Sequence, residues 1–225
     1  MVESVGSSGS EVSVGHRARP QVAPEVGPHL RARRDELRLS VREVARRVGV
    51  SASLVSQIER GKINPSVSTL YALVSELGLS MQDVFGTPAG GSGGERSRAS
   101  GDPVTHPGDR ALLLLASGVA WERLTAESVA GVGFLKVIYA PGSASCPDDA
   151  LIRHMGSEFG FVMSGRLGVQ LGFDSYELGP GDAISFSSAL PHRLYAVGEE
   201  PAEAIWVALG RGGDVRAGDD GGFTP

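Results

Sequence analysis

Ser40-Val41-Arg42-Glu43-Val44-Ala45-Arg46-Arg47-Val48-Gly49-Val50-Ser51-Ala52-Ser53-Leu54-Val55-Ser56-Gln57-Ile58-Glu59-Arg60-Gly61-Lys62-Ile63-Asn64 reads as two short helices joined by a tight turn. Ser40 is placed to cap the first helix, with Glu43 three residues on as its box partner. Val41, Val44, Ala45 and Val48 recur on one face at helical spacing. Gly49 suits the left-handed position that ends that helix, and Ser51 caps the second. Leu54, Val55 and Ile58 then face inward, so Ala52, Ser53, Ser56 and Gln57 turn outward. A helix that offers small polar side chains at its N-terminus has the shape and chemistry to enter a DNA major groove and touch base edges.

Outward from this stretch, Pro28–Arg38 reads as a preceding helix with Leu30 and Leu37 inward. Ser66 caps a following helix that runs through Leu77, with Leu70, Leu73, Val74 and Leu77 inward and Gly78 ending it. Ser80–Phe85 reads as a short fifth helix carrying Met81, Val84 and Phe85. The expected organisation is a disordered tail at 1–26, a five-helix bundle at 27–87, a Gly- and Pro-rich flexible linker at 88–110, a β-rich domain at 111–211 and a second tail at 212–225. Nine strand candidates fill the β-rich part: Ala111–Leu115, Val119–Leu124, Gly133–Tyr139, Phe159–Met163, Gly168–Leu171, Ser175–Leu178, Ala183–Phe186, His192–Ala196 and Ala204–Leu209. So many short strands punctuated by Gly or Pro point to a two-sheet roll or barrel.

Composition narrows the function classes. No apolar run approaches a membrane span, the longest being Ala111–Ala116. No signal-peptide pattern opens the sequence, and a single cysteine, Cys146, excludes an internal disulfide framework; both lead us to expect a cytoplasmic protein. The net charge of −5 is unevenly placed: residues 27–87 hold nine basic and six acidic side chains, a net of +3, which leaves −8 for the rest. A basic module beside an acidic one fits a phosphate-binding head joined to a domain with another partner.

The run from Leu54 to Lys62, followed by Pro65-Ser66-Val67-Ser68-Thr69-Leu70, resembles the lambda-repressor-like helix-turn-helix family, also called XRE. That resemblance implies double-stranded operator DNA as partner. Ala52, Ser53, Ser56 and Gln57 become the candidates for the base-facing side, while Ser51, Arg42, Arg60, Lys62 and Asn64 become candidate phosphate contacts.

His154-Met155-Gly156-Ser157-Glu158, Gly165, Gly179-Pro180-Gly181-Asp182 and Pro191-His192-Arg193 resemble the cupin family of small β-barrels (a jelly roll, or double-stranded β-helix). Cupins place a metal between a His-x-His-x(3–4)-Glu segment and a later His. His154, Glu158 and His192 match these ligand positions; Ile152 stands where the first His would be, and Ser187, Ala189 and Ala196 where Pro, Gly and Asn are usual. Two imidazoles and a carboxylate remain, a set that suits Fe, Zn or Mn with positions left open. The same three residues also serve a ligand pocket that requires no cofactor.

The two-part plan resembles bacterial regulators that join an XRE head to a cupin sensor, which implies a non-enzymatic homodimer on a palindromic or repeated operator with a small-molecule effector in the barrel. It also resembles the hydroxypropylphosphonate epoxidase plan. That alternative makes His154, Glu158 and His192 the iron triad of an oxygenase with a helix-turn-helix domain.

Overall fold

A computed structural model describes residues 26–81, 83–85 and 103–210; the expected tails, Val26 aside, and residues 86–102 fall outside the described residues. The N-terminal part holds α1 (Val26–Glu36), α2 (Val41–Val48), α3 (Ala52–Glu59) and α4 (Val67–Glu76). Ser40, Ser51 and Ser66 cap α2, α3 and α4, each hydroxyl accepting from the N–H three residues on. Gly49 sits at φ 79°, the left-handed conformation that lets the chain reverse between α2 and α3. Leu30, Val44, Val55, Ile58, Leu70 and Leu73 are sealed in the bundle core.

Four α-helices are present among the described residues, where five were expected. The fifth is a single 3-10 turn, Asp83–Phe85. Ser80 and Asp83 close it reciprocally: the Ser80 N–H donates to the Asp83 carboxylate (2.6 Å) and the Asp83 N–H to the Ser80 hydroxyl (3.3 Å). Met81, Val84 and Phe85 are nevertheless buried as expected. Leu37 is exposed rather than inward, because α1 stops at Glu36 and Arg38 follows with φ 54°.

All nine expected strands form: β1 (Leu112–Leu114), β2 (Val119–Arg123), β3 (Val132–Tyr139), β4 (Ser157–Ser164), β5 (Leu167–Leu171), β6 (Asp174–Leu178), β7 (Ala183–Ser187), β8 (His192–Ala196) and β9 (Ala202–Leu209). A six-stranded sheet runs β1-β2-β3-β9-β4-β7 and a three-stranded sheet β6-β5-β8, with every pairing antiparallel. Alternate residues of β2, β3 and β9 point inward, among them Trp121, Leu135, Val137, Ala204 and Trp206, and meet Val169 and Leu194 of the smaller sheet.

Residues 103–110 of the expected flexible linker are among the described residues. Pro107–Asp109 forms a turn, and Arg110 pairs with Glu122 of β2 at 2.9 Å. The two domains also touch directly. The Ser68 N–H donates to the Ser145 carbonyl (3.2 Å), the Ala116 N–H donates to the Pro65 carbonyl (2.8 Å), and the Arg123 guanidinium lies 6.0 Å from the Phe85 ring.

Candidate functional site

The outward face of α3 is built as the sequence reading had it. Ser53 is exposed, and Ala52, Ser56 and Gln57 are partly so, while Val55 and Ile58 are buried beneath them. Ser53 and Gln57 lie one turn apart, and the Gln57 amide donates to the Ser53 hydroxyl at 3.0 Å. Ser51 already uses its hydroxyl oxygen to accept from the Leu54 N–H (3.1 Å). Arg60 folds back so that its Nε donates to the Ser56 carbonyl (2.9 Å). Arg42, Arg60, Lys62 and Asn64 are all exposed, Arg42 on α2 and the other three in the stretch that follows α3. Glu43 does not complete the expected capping box through its carboxylate. That group accepts instead from Arg46 (2.6 Å) and Arg47 (2.7 Å), whose hydrogen bonds pull its pKa down to about 2.

What fixes α3 in the bundle is a residue the sequence reading gave no role. Glu59, 7% exposed, takes a bidentate contact from Arg34 of α1, Nε to Oε1 at 2.6 Å and Nη2 to Oε2 at 2.9 Å. Arg34 spends its remaining nitrogen on Asp35 and the Leu39 carbonyl.

The second constellation lies inside the barrel. His154 precedes β4, Glu158 is the second residue of β4 and His192 opens β8, so the two sheets bring the three together. Their ligand atoms all lie within 4.8 Å of one another. His154 Nε2 is 2.7 Å and His192 Nε2 3.5 Å from the same oxygen, Oε1 of Glu158. The other carboxylate oxygen accepts from the Trp206 indole at 2.6 Å, and Ser188 donates to Oε1 at 3.3 Å. Gly160 makes that indole contact possible, since a Cβ there would stand 2.1 Å from the Trp206 ring.

Hydrogen bonding sets the tautomers. His192 Nδ1 lies 2.8 Å from the Leu190 carbonyl and His154 Nδ1 3.2 Å from the Met155 carbonyl. A carbonyl oxygen can only accept, so in the neutral rings the proton sits on Nδ1 and the lone pair on Nε2. His154 Nε2 is buried without an aligned hydrogen-bond partner although it lies 2.7 Å from Glu158 Oε1, an orphaned nitrogen of the kind a divalent cation would satisfy. Backbone carbonyls that orient ligating imidazoles are the usual support for such an ion. The donor set therefore fits a metal, with His154, Glu158 and His192 as ligands.

Ile152 confirms the departure at the fourth ligand position. It is buried, exchanges backbone hydrogen bonds with His192 (2.8 Å each way) and forms part of the wall of the cavity above the triad. The empty space in and in front of that cavity, open solvent at its mouth included, is about 350 Å³, but the interior is narrow and holds little more than one water molecule. Trp121, Leu194 and Trp206 add apolar walls. Val67 and Tyr71, contributed by α4 of the other domain, were not foreseen there; the Tyr71 ring stacks on His154 at 4.6 Å and 5°. Their helical spacing marked α4 as amphipathic, but nothing in it named the surface it meets.

Comparison with known proteins agrees with both halves. A helix-turn-helix family model matches residues 30–84 and a cupin domain model matches residues 135–208. The HTH-type transcriptional regulator PuuR of Escherichia coli (strain K12) is 25% identical over 167 residues, which cover 74% of this chain and 84% of that protein. A crystallised HTH_3 family transcriptional regulator from Vibrio cholerae superposes with a TM-score of 0.57 at 21% identity, covering 83% of this chain and 95% of that one. Hydroxypropylphosphonic acid epoxidase from S. wedmorenis covers 85% of this chain at 21% identity, but its TM-score of 0.41 is too low to carry an argument about activity.

Proposed function

We propose that this chain, whose two parts match a helix-turn-helix and a cupin domain model, is a transcriptional regulator of that two-part kind, as PuuR is named, and that it binds an operator sequence-specifically and adjusts this binding to a small molecule held in the barrel. The observation that carries the DNA half is the solvent-facing side of α3. Ser53 and Gln57 stand one turn apart on a helix whose opposite side is locked into the core by Val55, Ile58 and Glu59. Gln57 has the amide geometry to pair with adenine N6 and N7. Ala52, Ser53 and Ser56 border it, and Ser51, Arg42, Arg60, Lys62 and Asn64 take phosphates and set the register.

Two copies act together. The outer face of the larger sheet exposes Phe134, Phe159, Phe161 and Met163, at 37%, 44%, 48% and 47%. These sit on neighbouring strands joined through β9, an apolar patch of the kind that marks an interaction surface. A twofold contact through it makes a homodimer and presents two heads to two half-sites. The chain works in the cytoplasm, in keeping with a DNA partner; no helix among the described residues is long and apolar enough to cross a membrane.

In the barrel, Glu158 and His192 line the effector pocket with His154 beside them, and Trp121, Ile152 and Leu194 supply apolar walls. The triad fits Fe, Zn or Mn, which when bound would supply a Lewis-acidic anchor for an anionic or chelating group. Trp206 and Ser188 hold the carboxylate in place whether or not a metal is used.

The test is to recover bound fragments from the source genome, define the operator, and titrate it with wild type, Glu158→Gln and His192→Ala in the presence of metabolite extract. Both variants keep operator binding and lose the extract response. A wild-type response in both would remove the barrel pocket from the sensing role. Failure to enrich any sequence would remove the operator from the reading.

A further inference from the structure

The cavity above the triad has room for little more than one ion or water molecule. Half of its lining residues belong to β2, β3, β4 and β9, strands paired by ladder hydrogen bonds on both sides. Val67 and Tyr71 instead arrive on α4, from the DNA-binding domain. Tyr71 stacks flat on His154 (4.6 Å, 5°) and meets Trp121 edge-on at 6.1 Å. Among the described residues, two backbone hydrogen bonds between the N-terminal region of α4 and the barrel accompany this stack, Ser68 N–H to Ser145 and Ala116 N–H to Pro65. The Leu194 N–H, on the strand that carries His192, is bonded to the Ser145 hydroxyl (3.0 Å). The docking contact and the pocket wall thus share residues.

Resting on the sensor reading above, we propose that Tyr71 is the link between pocket and head: its stack on His154 ties occupancy of the triad to the docking of α4 on the barrel. An ion held by His154, Glu158 and His192 fixes the His154 ring beneath Tyr71 and favours the docked state. An occupant too large for the closed cavity is admitted as Tyr71 withdraws, which lifts α4 and reorients α3 in the same body. An occupant shifts the head only to the extent that it binds the two arrangements unequally.

The experiment is hydrogen exchange in the full chain, read at the Ser68 and Ala116 amides, which are protected when α4 is docked. Wild type, Tyr71→Ala, His154→Ala and the double variant form a cycle, with and without Zn(II). Loss of the stack lowers protection about two- to tenfold. The double variant loses no more than either single one, and Tyr71→Phe stays at the wild-type level. Zn(II) raises protection in wild type and Tyr71→Phe but not in Tyr71→Ala. Tyr71→Leu, which refills the volume without an aromatic face, replaces Tyr71→Ala should the latter not fold. Additive losses in the cycle overturn the link, as does a Zn(II) response in Tyr71→Ala equal to that of wild type, or Zn(II) binding in wild type without a change at either amide. A non-additive cycle with no Zn(II) binding would keep the link and overturn the metal assignment of the preceding section instead.

Discussion

Glu59→Ala cuts the contact that ties α3 to α1. Arg34 and Glu59 are 9% and 7% exposed and meet through two short parallel hydrogen bonds. The Glu59 contact raises the Arg34 pKa, and without it the guanidinium still stays charged, because its ordinary value already lies far above neutral pH. Asp35 remains beside it, but at 55% side-chain exposure it is a solvated partner that compensates poorly. An uncompensated charge in such a position costs about 3–5 kcal/mol, a large part of the stability of a small domain. Replacing both members, Arg34→Met with Glu59→Leu, removes the buried charges together and recovers most of that loss. Both tryptophans, Trp121 and Trp206, lie in the barrel, so helical circular dichroism under urea follows the head better than fluorescence. A Glu59→Ala loss below about 1 kcal/mol, the ordinary size of an exposed ion pair, would show that water reaches the guanidinium and that the burial argument is wrong.

Gln57→Ala relaxes base preference at one position of each half-site by about 1–3 kcal/mol, read by a binding survey of single-base operator variants; equal weakening on every sequence would count against base contact. Gly160→Ala puts a Cβ 2.1 Å from the Trp206 ring, which costs about 1–3 kcal/mol and shifts the Trp206 emission as its indole leaves Glu158; an unchanged spectrum and melting curve would contradict the packing. Glu43 has its pKa lowered from 4.5 to about 2 by Arg46 and Arg47. A depressed carboxylate pKa stabilises the fold above the unfolded value and loses that contribution as pH falls through the folded one, so head stability declines between about pH 4.5 and 2; a carboxyl titration by NMR centred near 4.5 would refute the contacts.

Local signals were legible in the sequence wherever one short stretch determined the outcome. Ser40, Ser51 and Ser66 each announced a helix start, because a cap is a three-residue event. Gly and Pro punctuation placed all nine strands within two residues, because antiparallel strands end where the chain must turn. His154, Glu158 and His192 were found through family spacing and do converge. What stayed hidden was long-range. Glu59 reads as a surface acid until Arg34, twenty-five positions earlier, is seen across the core. Tyr71 reads as one more residue of an amphipathic helix until α4 is seen lying on the barrel. Glycine content at 86–94 led to the expectation of a flexible linker, but composition says nothing about the surfaces that meet through Pro65, Ser68, Ala116 and Ser145.

The most direct measurement of the central claim is the affinity of the full-length protein for its selected operator against a scrambled duplex of the same length and composition, followed over a range of salt. Specific recognition by paired heads predicts a preference of at least about a thousandfold. It also predicts affinity falling with salt at a slope near −0.9 for each neutralised phosphate. Binding that differs by no more than a few-fold between the two duplexes, or that saturates single half-sites as a monomer, would contradict it.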